Sequence, residues 1–85
     1  MDEQGLPVFW VLQVATVGSS ERADELVAGL QERGYRAFSK RYVRVDDEMH
    51  RVQIGPNIDR ERLMQMKPQI DSILSVDSQV LRYIQ

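Results

Sequence analysis

The sequence predicts an α+β fold of order βαββαβ, a four-stranded antiparallel sheet with two helices on one face. Three observations lead there. First, the chain repeats itself. Leu12-Gln13-Val14-Ala15-Thr16, followed by Ser19-Ser20-Glu21-Arg22-Ala23-Asp24-Glu25-Leu26, is echoed by Val52-Gln53-Ile54-Gly55-Pro56, followed by Asn57-Ile58-Asp59-Arg60-Glu61-Arg62-Leu63. Each copy reads as an apolar strand with one glutamine in its middle, a turn, and a polar cap that opens an amphipathic helix. Second, further strand-like stretches lie between the copies, at Tyr35 to Val45, and after them, at Val80 to Ile84. Third, 85 residues of which 42% are hydrophobic support one core, so the two halves must share it.

Met1-Asp2-Glu3-Gln4-Gly5 begins a short polar leader, residues 1–6, and residues 7–85 form the domain. Val8 to Thr16 is dense in β-branched and aromatic residues, with Pro7 at the strand start, where a missing backbone donor does little harm. Gly18, Ser19 and Ser20 supply a turn and an N-cap, and Glu21, Asp24 and Glu25 place negative charge at the positive end of the first helix. Ala23, Leu26, Val27 and Leu30 make one apolar stripe, and Gly34 closes the helix in a left-handed conformation. Tyr35 to Val45 and Met49 to Ile54 read as strands two and three, a hairpin turned at the acidic Asp46-Asp47-Glu48. Asp59 caps a second helix with Leu63, Met66, Ile70, Ile73 and Leu74 on one face. Pro68 removes a hydrogen bond there, which predicts a kink near Lys67 or a helix that restarts with Pro68 in its first turn. Val80 to Ile84 closes the order as two split crossover units.

Both helices on one face leave the other face of the sheet bare, and strand alternation says what it displays. With Trp10, Leu12 and Val14 under the helices, Phe9, Val11, Gln13 and Ala15 face outward; with Val52 and Ile54 inward, Arg51 and Gln53 face outward; with Val43 and Val45 inward, Tyr42 and Arg44 face outward. A glutamine is costly to bury unpaired, so a glutamine in an apolar strand marks a face open to water or ligand. Either facing fits Arg82 and Tyr83.

The composition excludes several functions. A formal net charge of −2 has the wrong sign for generic binding to nucleic-acid phosphates. With no cysteine and one histidine, neither a disulfide frame nor a thiolate or histidine-rich metal site is available. No apolar run of about 20 residues spans a bilayer, so this segment does not insert in a membrane. Asp46, Asp47 and Glu48 are adjacent in a hydrated turn, which suits neither a paired acid and base nor a tuned pKa. His50 beside that turn reads as solvated, no serine has a histidine partner and no glycine-rich phosphate loop is present. The sequence therefore points to a binder with no catalytic residues, no metal and no cofactor.

Trp10 to Val17, a serine-capped helix ending in Arg33-Gly34-Tyr35-Arg36-Ala37-Phe38, and Arg51-Val52-Gln53-Ile54-Gly55-Pro56 together resemble the SPOR domain (sporulation-related repeat) over residues 8 to 85. That family's pattern is an aliphatic strand with a glutamine and, three residues on, a serine or threonine; a helix closed by a Gly-aromatic pair; and an Arg-Val-x-hydrophobic-Gly-Pro strand end. The resemblance implies a monomeric peptidoglycan-binding module of a longer bacterial envelope protein. Such modules recognise glycan strands stripped of their stem peptides and so reach the division septum in the periplasm. Position by position, the glutamine is Gln13, the serine or threonine is Thr16 and the third-strand arginine is Arg51. The family's usual Gly-Ser-Phe after the glutamine is here Ala15-Thr16-Val17. With their outward-facing neighbours, the expected glycan-binding set is Gln13, Thr16, Tyr42, Arg44, Arg51 and Gln53.

Two other binders share this ferredoxin-like topology. An RRM-like RNA binder would need stacked aromatics on its third strand, and Met49-His50-Arg51-Val52-Gln53-Ile54-Gly55 has none. A homodimerising regulatory domain would pair sheets or edges, and would ignore cell-wall sacculi.

Overall fold

Six elements follow one another in the computed structural model, which describes residues 7–83: β1 (Trp10–Val17), α1 (Ser20–Glu32), β2 (Ala37–Val43), β3 (Glu48–Asn57), α2 (Arg60–Leu74) and β4 (Gln79–Arg82). The strands form one antiparallel sheet in the order β2-β3-β1-β4, so the two glutamine-bearing strands are its central pair. This is the predicted βαββαβ architecture. The leader assigned to residues 1–6, and Ile84 at the expected end of the last strand, lie outside the described residues.

The core is built from the repeat. Leu12, Val14, Ala23 and Leu30 from the first half, and Val52, Ile54, Leu63 and Ile70 from the second, join Ala37 in one buried cluster. Each of the first four precedes one of the second four by forty positions, so the halves bury equivalent residues against each other. Because both helices and both central strands contribute to this cluster, the helices lie on the same face of the sheet. Burial of this kind is the main favourable contribution to folding, about 1.5–3 kcal/mol for a fully buried aliphatic side chain.

The helix ends are satisfied as their sequences require. Ser19 caps α1 by accepting from the Arg22 N–H at 3.3 Å, and Asp59 caps α2 by accepting from the Arg62 N–H at 3.4 Å. Gly34 follows α1 at φ +90°, and the next residue's N–H donates back to the Leu30 carbonyl at 3.0 Å. α2 runs unbroken from Arg60 to Leu74 with Pro68 inside it, so the expected restart at the proline does not occur. Pro68 is exposed, which leaves the Met64 carbonyl that it cannot serve on the solvent side, where water can bond it.

Three expectations about facing are corrected. The ladder between β1 and β3 shifts register between Gln13 and Ala15, opposite Gln53 and Val52, so β1 carries an extra residue there. Val14 and Ala15 therefore both pack on the helix side, and Ala15 is not on the open face. Val43 and Val45 are not core: they are 63% and 99% exposed, Val43 because it is the last residue of β2 and Val45 because it lies in the turn closed by the Arg44 and Asp47 backbone bonds. His50 is not solvated. It shares the helix side of β3 with Val52 and Ile54, is 8% exposed, and brings Nε2 within 3.6 Å of Glu48.

The end of β3 also departs from strict alternation, and the strand runs through Gly55-Pro56 to Asn57 rather than stopping at Ile54. Gly55 sits at φ +124°, and a Cβ there would lie 3.1 Å from the Trp10 carbonyl oxygen. Both facts call for glycine.

Candidate functional site: the open face of the sheet

The bulge after Gln13 shapes the open face. In an unbroken strand, Gln13 and Thr16 would point to opposite sides. The extra residue brings Thr16 back to the side of Gln13, and both line one hollow with Tyr42, Arg44, Asp47, Met49 and Arg51, of about 300 Å³. A glutamine and a hydroxyl three residues apart thus share a face only because the strand is irregular between them.

A larger groove, of about 450 Å³, adjoins it across the central strands. Val11 and Gln13 of β1, Arg51 and Gln53 of β3, and Lys40 and Tyr42 of β2 line it, with Leu81 and Tyr83 from the β4 end. Leu81 is the Cα partner of Val11, and the Tyr83 N–H donates to the Phe9 carbonyl at 2.8 Å, which fixes residues 81–83 beside β1. Arg41 and Arg82 complete the rim, so every charged residue among those described around this groove is a cation. In a chain of net charge −2 this is a local concentration of positive charge. Arg41 is engaged with Glu48, and Lys40 reaches the Tyr83 ring at 6.0 Å from its centroid.

Between the two hollows stands a stack of Tyr42 and Arg51. The Arg51 guanidinium lies 4.5 Å from the centroid of the Tyr42 ring and that of Arg44 5.7 Å, both within cation–π range. Tyr42 faces outward as expected and is 41% exposed, but its ring already has a guanidinium against it.

The two glutamines meet. Gln13 and Gln53 are Cα partners across β1 and β3, and Gln53 Nε2 donates to Gln13 Oε1 at 3.3 Å. Gln53 is on the open side but only 7% exposed, because β3 is an interior strand and Gln53 lies between Gln13 on one side and Phe38 on the other. The sequence reading of Gln53 as a freely outward group is corrected accordingly. All six expected residues lie at these hollows: Gln13, Tyr42 and Arg51 at both, Thr16 and Arg44 at the smaller, and Gln53 at the larger. Leu81 and Tyr83 were not foreseen, since the facing of a four-residue edge strand depends on its partner's register; Lys40, two residues from Tyr42 on β2, shares the outward side that alternation gives Tyr42.

Helix α2 fastens this arrangement from behind. Asp71 of α2 accepts from Ser78 N–H and Oγ–H at 2.8 and 2.6 Å and from Lys67 Nζ at 2.6 Å, while Lys67 also donates to Asp77 at 2.9 Å. Ser78 is fully buried and directly precedes β4, so the network ties the start of β4 to the helix. The Lys67 ammonium, followed by the two Ser78 donors, holds the Asp71 carboxyl down at about 2. Among the described residues, no group of three or more histidine, cysteine, aspartate or glutamate side chains is placed to hold a metal ion, and no helix is long and apolar enough to cross a membrane.

A half-covered antiparallel βαββαβ sheet with a basic, amide-floored groove on its bare face defines the class of domain. The chain belongs to the SPOR domain family, whose sequence pattern matches residues 6–82. Its fold is similar to that of the SPOR domain of RlpA from Pseudomonas aeruginosa, with a TM-score of 0.76 and 23% identity over 87% of this chain and 99% of that one. It is also similar to the peptidoglycan-binding domain of the cell wall lytic enzyme CwlC of B. subtilis, at a TM-score of 0.69 and 14% identity, covering 99% of this chain and 100% of that domain. The SPOR protein DedD matches at a TM-score of 0.64 and 20% identity over 89% of this chain, which spans 39% of the DedD chain. No curated protein matches the sequence.

Proposed function

We propose that this domain is a non-catalytic module that binds peptidoglycan along the open face of its sheet, takes glycan strands that have lost their stem peptides, and so carries its parent protein to the division septum in the periplasm. The observation that carries the reading is the groove with only cations among its charged residues, floored by Gln13 and Gln53, in a SPOR domain of net negative charge. The likeness in fold to a peptidoglycan-binding domain of a lytic enzyme supports the same class of ligand.

The chemistry of the polymer fits the strip. When an amidase removes a stem peptide, each muramic acid keeps a free lactyl carboxylate, and the naked strand becomes an extended chain of hydroxyls, acetamides and regularly spaced negative charges. Arg51 and Arg44 pair with those carboxylates, and the guanidinium plane offers two parallel donors to each. Gln13 bonds an acetamide or carboxylate, Thr16 bonds a hydroxyl, and the Tyr42 edge bears on a pyranose ring. In a strand that retains its peptides the lactyl carboxyls are tied up as amides, and the peptides make it too bulky to lie across the sheet. Partly exposed contacts are individually modest, so affinity is weak and falls as salt rises.

The test is a pull-down on sacculi before and after amidase treatment. Retention on treated sacculi alone is expected, and Gln13→Ala or Arg51→Ala, folded by circular dichroism, should each reduce it about five- to tenfold. Equal retention on both preparations would remove the preference for stripped strands. Unchanged retention of both variants would remove the sheet face.

A further inference from the structure

We infer that Gln53 is a positioning residue that sets which end of the Gln13 carboxamide faces the groove, so that the centre of the strip offers N–H donors and takes a carbonyl-type oxygen of the ligand. The inference rests on the binding reading above and narrows it to a polarity.

A primary amide has an oxygen that accepts and a nitrogen that donates, on two ends of nearly identical shape. An isolated surface glutamine can present either end to a ligand. Gln13 is not isolated, because Gln53 Nε2 donates to its Oε1. Turning Gln13 over alone would set one N–H against another and leave the nitrogen of a side chain that is only 7% exposed without an acceptor; only both amides turning together would restore the bond, with the Gln13 oxygen then facing the groove, and that is the reversed polarity the test below reads. With its oxygen engaged, Gln13 meets anything in the groove through Nε2. This position is central: Gln13 lines the hollows of about 450 and 300 Å³ and a third, of about 210 Å³, toward Asp77 and Gln79. A strand crossing the sheet in any direction passes this amide. The ligand atom that suits it is the oxygen of an acetamide or a carboxylate, two groups that a stripped glycan strand carries.

Two measurements test the inference, one without ligand. In the free protein, the side-chain amide protons of Gln53 should exchange with solvent more slowly than those of Gln13; the reverse order would overturn the polarity, even if the domain binds glycan. In a titration with amidase-stripped glycan strands, the Gln13 amide nitrogen should shift while that of Gln53 stays nearly still. Gln53→Met keeps the volume and removes the donor, so Gln13 is free to turn and binding falls about fivefold with Gln13 intact. Gln53→Glu can only accept, draws the Gln13 nitrogen inward, and lowers binding about tenfold or more, a loss that must persist on strands whose carboxylates have been converted to neutral methylamides if it arises from polarity and not from repulsion. If Gln13→Ala loses binding while Gln53→Met binds like the parent with its fold intact, the inference fails and the sheet-face reading stands. If Gln13→Ala and Arg51→Ala bind like the parent, that reading fails and takes the inference with it.

Discussion

Arg51 illustrates how much a single residue carries on this face. It lines both hollows, and its guanidinium lies 4.5 Å from the centre of the Tyr42 ring, within cation–π range. A lysine keeps the charge but has neither the planar stacking surface nor the forked donors. Arg51→Lys is therefore expected to recover little of the binding lost in Arg51→Ala, and retention on amidase-treated sacculi measures it; full recovery would mean that only charge matters at this position. The placement of Gln13, Thr16 and Arg51 at the open face was legible in the sequence through residue type, spacing and family pattern. The burial of Gln53 was not, because it depends on β3 being an interior strand with Phe38 on its far side. Nor was the occupied state of Tyr42, since alternation gives a facing but not a neighbour.

At the scale of elements, the irregularities of the two central strands decide what the sheet displays. The helices and their caps followed from local chemistry, and Ser19, Gly34 and Asp59 act where their side chains or lack of one predict. The bulge after Gln13 had no such local mark, and it packs Ala15 against the core and brings Thr16 to the smaller hollow. At the matching place in β3, Gly55→Ala would put a side chain at φ +124° and 3.1 Å from the Trp10 carbonyl oxygen. A loss of about 1–3 kcal/mol is expected in urea unfolding, and no loss would show that the strand end relaxes freely. The tie between α2 and β4 responds to acid. Asp71 has its folded value lowered to about 2 from an ordinary 3.8, so its stabilising contribution is complete above about pH 4 and is lost as pH falls toward 2. Thermal melts between pH 5 and 2 should show a steeper decline for the parent than for Asp71→Asn; parallel declines would show that the carboxylate does not hold β4.

For the molecule as a whole, the repeat organises both the inside and the outside. Four pairs of residues forty positions apart fill the core, and a fifth pair, Gln13 and Gln53, meets on the open face. Leu12 is fully buried between the halves, and Leu12→Ala should cost about 2–5 kcal/mol in chemical denaturation, against little change for an exposed hairpin residue such as Val45. The fold was readable from the echo because it fixed both strand–helix units at once, while the hairpin misled because apolar Val43 and Val45 lie at its turn, where neither is buried. The most direct test of the open face as the ligand surface is amide chemical-shift mapping of the labelled domain during titration with amidase-stripped glycan strands. Shifts concentrated on Gln13, Thr16, Tyr42, Arg51 and Tyr83, and diminishing with added salt, are predicted. Shifts confined to α1 and α2, with the open face silent, would contradict the account.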